Sequence, residues 1–379
     1  MKAKTLFYKT ILAFFDLKYV VFKFLRERRN PTIHQLRFKI KRIRAKLITY
    51  FFFQPTTFHI NGGGDASVTF IINLYERLGD IIAAEPIARL LKSSFPKCKI
   101  KWCVKTEYII LLRNNPFIDS IIEVRNLPEV DRICEQEQLK GSLLIDCLFN
   151  GRPDNKLEYI HINKANPKIT CHNYFTYGGL LEAFCLSAKI PPIKTRPKIW
   201  ATVASSSQID AIKNQSANRP IVAIHCESSI PYKNYSKKKW LFIVHTLISK
   251  GYCVIEIGLN SHIESSDSYF INATNKNLSL IESFKVLSFS NYFIGIDSSF
   301  AHAANSLDIP SIILLGRYAN FVEYSPFSNQ SRNRIELRNL NGCTANIEPN
   351  DILSAFEYLV TRQRLTQNRM QEHQIILES

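Results

Sequence analysis

Tyr292-Phe-Ile-Gly-Ile-Asp-Ser-Ser-Phe-Ala-His302 is an apolar run that passes into a helix start with no loop between them. Tyr292–Ile296 carries no charge, as a strand covered on both faces requires. Asp297, Ser298 and Ser299 follow at once, and such side chains bond the free N–H groups of a first helical turn. A helix through Ala304 then leads to a second apolar run, Ser311–Leu315 (SIILL). Strand, helix and strand joined by short links make the repeating unit of a parallel sheet. The same rhythm precedes this stretch in Ile221–Cys226 (IVAIHC), a helix over Lys237–Lys250, Cys253–Gly258 (CVIEIG) and a helix over Leu280–Ser288. An earlier series holds Val68–Leu74 (VTFIINL), a helix from Ile81 to Phe95 closed by Pro96, then Ile100–Val104, Ser120–Val124 and Leu143–Leu148. Pro191, Pro192, Pro197 and Ser205–Ser207 place a connection within about residues 150–215. The sequence thus predicts an α/β protein of two similar halves facing a cleft, with ligands outside the carboxyl ends of the strands.

The bulk numbers agree. A chain of 379 residues suits two domains, and 46% hydrophobic with 21% charged residues suits a globular chain. The nine cysteines form no CxxC pair and no zinc-like cluster. Cys103, Cys147, Cys226 and Cys253 lie in strand-like runs as small apolar residues, which fits a reducing, cytoplasmic compartment. The net charge of +17 is uneven: residues 1–64 hold fourteen Lys/Arg against two Asp/Glu. This arm, 1–64, alternates aromatic and basic residues at helical spacing up to about Phe53. Residues 1–53 are expected to lie on an anionic membrane surface; a solvated helix pair packed on the body is the plainer alternative. No nucleic-acid-binding module accompanies the charge. Lys9, Asp16, Lys18 and Lys23 interrupt every apolar run of the arm, so neither a membrane span nor a signal peptide is expected.

Three sites carry chemistry. Leu78-Gly79-Asp80-Ile81-Ile82, with Pro86 beyond, puts a carboxylate where a strand opens into a helix. Asp80 can cap that helix or take the proton from an attacking hydroxyl. At Asp297–His302 the N–H groups of Ser298, Ser299, Phe300 and Ala301 offer a seat for phosphate; a capped helix with a buried His302 is the plainer alternative. At the third, His225-Cys-Glu-Ser228-Ser229 precedes Lys233-Asn-Tyr235 and Trp240. A lysine there can offset charge on a departing diphosphate, on a loop anchored by the two aromatic rings.

Together these motifs resemble the glycosyltransferase family that includes the lipopolysaccharide heptosyltransferases. The matches are Gly79–Ile82 with Pro86, Lys233-Asn-Tyr235 with Trp240, and Asp297-Ser-Ser-Phe-Ala-His302; FPKCKIKWCV and NNPFIDSII are similar to the family's first half. The likeness covers roughly residues 66–320 and leaves the arm outside. It departs at Ser299, where the family has glycine, and at Arg317 and Tyr318, where it usually has a small residue or proline. The resemblance implies a GT-B fold of two Rossmann-like domains: an acceptor domain over 65–205, a nucleotide-sugar domain over 206–335 and a helical segment over 336–379. It implies inverting transfer of heptose from ADP-L-glycero-β-D-manno-heptose to a hydroxyl of the lipopolysaccharide core, on the cytoplasmic face of the inner membrane. Asp80 would be the base, with Lys233, Ser228, Ser229 and Ser298–Ala301 on the diphosphate. Gly79 and His302 would complete the substrate site, Asp297 would orient the loop or a sugar hydroxyl, and Glu264 would meet the ribose. Neither metal nor cofactor is expected, since a lysine and a helix dipole can do the charge work. The departures leave open a different nucleotide-hexose donor, serving outer core, capsule or protein, and a non-catalytic membrane-surface scaffold.

Overall fold

The structure, a computed structural model, describes residues 68–201, 206–228, 230–321, 323–340 and 342–378, with backbone alone from 367. The basic arm, Gly62–Gly64 and Ser229 therefore lie outside the described residues.

The elements in chain order are β1 (Thr69–Asn73), α1 (Leu78–Ala84), α2 (Pro86–Ser94), β2 (Lys99–Val104), α3 (Ile109–Leu112), β3 (Ser120–Glu123), α4 (Leu127–Leu139) and β4 (Leu143–Asp146). A small hairpin, β5 (Pro153–Asp154) and β6 (Tyr159–Ile160), and α5 (Leu180–Ser187) follow. The second series is α6 (Ser207–Gln215), β7 (Ile221–His225), α7 (Lys237–Ser249), β8 (Cys253–Glu256), β9 (Phe270–Asn272), α8 (Leu280–Ser288), β10 (Tyr292–Ile296), α9 (Ser299–Ser306), β11 (Ser311–Leu315), β12 (Arg334–Arg338) and α10 (Pro349–Glu378). The two main sheets run in the orders β3-β2-β1-β4 and β12-β11-β10-β7-β8-β9. Every neighbouring pair within them is parallel. The α/β reading with two parallel sheets therefore holds.

One expected element divides. The helix read over Ile81–Phe95 is two helices, α1 and α2, because Pro86 has no N–H to continue the ladder and instead takes the first position of α2. Glu85 sits at the break, buried, and its carboxylate accepts from Arg89, from the Lys198 backbone N–H and from Trp200 Nε1 at 2.9 Å. The break thus becomes an anchor for the segment entering the second half.

Alternation along the strands of the second sheet explains how its two faces are covered. Ile221, Ala223, Phe293 and Ile313 face a core continuous with the first sheet, built on Phe70, Ile72, Trp102 and Phe184. Val222, Ile224, Ile294, Ile296, Ile312 and Leu314 face the other way, under Trp240 and Val244 of α7 and Ile352 and Phe356 of α10. Full burial of each such side chain stabilises by about 1.5–3 kcal/mol before the entropic costs of folding.

Beneath the end of the first sheet lies a buried charged network. His161 Nδ1 is 2.9 Å from Asp131 and its Nε2 is 3.1 Å from Asp146. Tyr159 Oη donates to Asp131 at 2.9 Å, and Asn73 Nδ2 to Asp146 at 3.0 Å. Burial alone would push the imidazole down, but its hydrogen bonds and the two carboxylate charges raise it from 6.5 to about 9. The raised value means that the stabilisation is full below about 6.5 and fades as the pH climbs through about 9. His161→Ala is expected to cost about 3–5 kcal/mol near neutrality, since it strands the buried Asp146 and the half-buried Asp131. In chemical denaturation the deficit against the native chain should shrink above pH 9; a deficit that stays constant with pH would refute the charged assignment.

Candidate active site

The chain enters α1 from the carboxyl end of β1, which delivers Gly79 and Asp80 to the sheet edge. Asp80 is the third residue of the helix, and the Arg77 backbone N–H reaches back to its carboxylate, so the capping reading holds in part. Its side chain keeps 22% exposure, and Arg152 Nη1 stands 3.8 Å from Oδ2. Arg152 is held in turn by Glu76 at 3.1 Å, and Glu76 by Lys105 at 2.5 Å. Burial raises the Asp80 carboxyl above its usual range, while Arg152, Arg77 and Lys233 oppose that rise. The result is a partly desolvated carboxylate more basic than an ordinary aspartate, which suits proton abstraction.

In the second half, Ser298 caps α9, its hydroxyl accepting from the Ala301 N–H at 3.4 Å. Asp297, at the end of β10, is buried and its Oδ2 accepts both Lys233 Nζ at 2.6 Å and Tyr324 Oη at 2.7 Å. Burial pushes Asp297 up, but the charge and hydrogen bond of Lys233, with help from His302 and Tyr324, hold it below the ordinary carboxylate range. It is therefore the ionised partner of the lysine. The Tyr318 ring caps the same ammonium, its centroid 4.2 Å from Nζ. Lys233 follows a turn in which Asn234 Oδ1 accepts the Ser228 N–H at 2.7 Å and Ser228 Oγ accepts the Ile230 N–H at 3.2 Å. Tyr235 anchors the loop as expected: its hydroxyl donates to Ile347 O at 2.9 Å and its ring meets Trp240 edge-on.

Gly79 brings the two halves together. A Cβ there would lie 2.9 Å from His302 Cδ2 and 3.6 Å from the Ser299 Cα, so the start of α1 rests directly on the start of α9. Asp80, Lys233, Asp297, Ser298 and Ser299 thereby gather around one junction. His302 is buried within it, and burial lowers its imidazole to about 4, so it is neutral. Gly79→Val is expected to force the helices apart, costing about 1–3 kcal/mol and lowering turnover. An unchanged melting temperature and unchanged turnover in that variant would show the contact to be dispensable.

The side chains of two further expected site residues are placed as follows. Phe300 turns inward, its ring 4.6 Å from His225 and 5.6 Å from Phe284, so only its backbone N–H remains for a ligand. Glu264 is exposed on the loop after β8. The carboxylate buried at that strand end is Glu256, which accepts the N–H groups of His262 and Ile263 and so shapes the loop. Ser229 lies outside the described residues, and Ser298 and Ser299 are partly exposed at the helix start.

Sequence reading missed Arg152, Tyr174, Phe175 and Tyr324. Tyr174 and Phe175 reach Phe321 at 5.0 and 5.2 Å, and Phe175 reaches Tyr324 at 4.8 Å, forming an aromatic bridge between the halves beside Lys233. The only sequence signal was the density of aromatic residues in 174–177 and 318–327. Among the described residues, no group of His, Cys, Asp or Glu is arranged to hold a metal ion, and no helix is long and apolar enough to cross a membrane.

Residues 190–353 match the sequence profile of a protein family described as glycosyltransferase family 9 (heptosyltransferase). No curated protein matches the chain. Among solved structures, a glycosyl transferase family 9 protein from Veillonella parvula shares 16% identity over 78% of this chain and 97% of its own, with a TM-score of 0.59. The ADP-heptose lipopolysaccharide heptosyltransferase II of E. coli has 16% identity over 78% and 99%, with a TM-score of 0.57. The E. coli heptosyltransferase WaaC, solved with ADP, has 14% identity over 77% and 99%, with a TM-score of 0.51. At such identities the structural likeness is one of fold.

Proposed function

We propose that this chain is a family 9 glycosyltransferase, as the profile match over residues 190–353 supports, and that it transfers heptose from ADP-L-glycero-β-D-manno-heptose to a lipopolysaccharide core hydroxyl with inversion. The carrying observation is the meeting of Asp80 with the Lys233–Asp297 pair across the contact of Gly79 with α9. The layout suits a GT-B enzyme, with acceptor on the first half and nucleotide on the second. Asp80 removes the acceptor proton as the hydroxyl attacks the anomeric carbon, and the bond to ADP breaks on the opposite face. Lys233 and the N–H groups of Ser298–Ala301 receive the charge that develops on the diphosphate, and Ser228 is a further donor to it. Asp297 fixes the lysine rather than the sugar, because its Oδ2 already serves Lys233 and Tyr324. In this division residues 65–205 serve the acceptor and 206–335 the nucleotide. Residues 1–53 and the amphiphilic acceptor place the enzyme on the cytoplasmic face of the inner membrane.

Calorimetric titration tests the donor. ADP is expected to bind at least roughly tenfold more tightly than UDP, a difference of about 1.4 kcal/mol. Tighter binding of UDP would favour a nucleotide-hexose donor instead, a reading supported by Tyr318 standing over Lys233 where the family usually has a small residue or proline.

A further inference from the structure

The β5–β6 hairpin and the segment leaving it are built inside out. His161 and Asn163 point inward and are buried, His161 between Asp131 and Asp146, and Asn163 with its Nδ2 near the carbonyls of Asp146 and Leu148 at 3.2 and 2.8 Å. Exposure alternates along residues 160–163, leaving Ile160 and Ile162 60% and 67% exposed, and Leu157 at the tip is 51% exposed. Polar side chains inside and large aliphatic ones outside reverse the usual arrangement of a sheet edge in water.

Charge argues for what covers this face. Residues 151–168 contain Arg152, Lys156, Lys164 and Lys168 against Asp154 and Glu158, and Lys156 and Lys168 are exposed. Arg152 is paired with Glu76 and Lys164 with Glu135, which leaves Lys156 and Lys168 as the exposed cations of the segment. A second copy of this chain would oppose cation to cation, whereas exposed aliphatic side chains on a segment with these lysines suit an anionic interface that is apolar just below its surface. The root of the hairpin is part of the candidate active site, since Arg152 stands 3.8 Å from Asp80.

We infer that the β5–β6 hairpin docks on an anionic lipid surface through Leu157, Ile160 and Ile162, setting the Asp80 edge of the site against the leaflet that carries the acceptor. Its purpose rests on the proposed membrane-borne acceptor, but the contact can be measured without any donor. In the full-length chain, Ile160→Trp adds an indole at the hairpin over a background of three tryptophans, two of them, Trp102 and Trp240, fully buried. Phosphatidylglycerol-containing vesicles should shift the added emission to the blue, and brominated acyl chains should quench it. A chain that sediments with these vesicles while its added indole stays unquenched would overturn the inference, as would a chain that does not sediment or one that buries this indole by self-association.

The combined change Leu157→Asp, Ile160→Asp and Ile162→Asp should lower transfer to vesicle-borne acceptor by roughly tenfold or more. Transfer to the same acceptor dispersed in detergent should be unchanged; an equal loss in both would contradict docking. Quenching without any heptose transfer would keep the docking surface and reject the proposed reaction.

Discussion

Asp80→Ala is expected to lower transfer by about 10²–10⁴-fold while leaving ADP binding within error of the native chain. Asp80 is the carboxylate at the α1 start, partly exposed, and its charge is neighboured by Arg152, Arg77 and Lys233. Its raised pKa makes two further predictions. Turnover needs the ionised form, so activity falls as pH drops through a value above the usual 3.8 of an aspartate. Burial that raises the pKa also means that the ionised carboxylate opposes folding at neutral pH, so the alanine variant should melt no lower than the native chain. Single-turnover kinetics and a melting curve check both, and an active, well-folded Asp80→Ala enzyme would remove the base assignment.

Lys233→Met is expected to lower kcat/KM by about 10²–10³-fold, because the lysine is the half-buried cation beside the helix start proposed to receive the diphosphate. It should also destabilise the fold by about 3–5 kcal/mol, since Asp297 would keep only 8% side-chain exposure and lose its counter-charge. The Asp297 carboxyl is held below its usual range, so the pair's contribution is present above the unfolded aspartate value and vanishes as pH falls through the folded one. Adding Asp297→Asn separates the two effects. The double variant should recover most of the stability, as the buried charge is gone, yet remain slow in transfer. Recovery of transfer along with stability would show that Lys233 only neutralises Asp297.

Much of this architecture was legible in the sequence because buried parallel strands carry unbroken apolar runs. Tyr292–Ile296, Ser311–Leu315 and the helix Leu280–Ser288 have the bounds that their residues suggest. β12 (RIELR) was invisible for the opposite reason: it is an edge strand, every residue half-buried, with its charges paired sideways as in Arg334–Glu336. Pro86 was read as part of a motif, although its missing N–H also divides the helix. Asp80, Lys233 and Asp297 could be singled out because each follows a strand end. Arg152 could not, since its approach to Asp80 depends on a hairpin whose inward side chains are polar and whose outward ones are aliphatic. Glu264 was singled out from its place after a strand end, and the structure leaves it exposed on that loop, while Glu256, the last residue of β8, is the buried carboxylate that shapes the loop.

The central claim is heptose transfer through the Asp80–Lys233 junction, and the most direct measurement is the mass of truncated core acceptors after incubation with ADP-heptose and purified protein. The account predicts the gain of one heptose on a single acceptor, with equal release of ADP, and no gain with Asp80→Ala. Tight binding of ADP-heptose with no mass gain on any acceptor would contradict it, leaving another sugar or a non-catalytic role at the membrane surface.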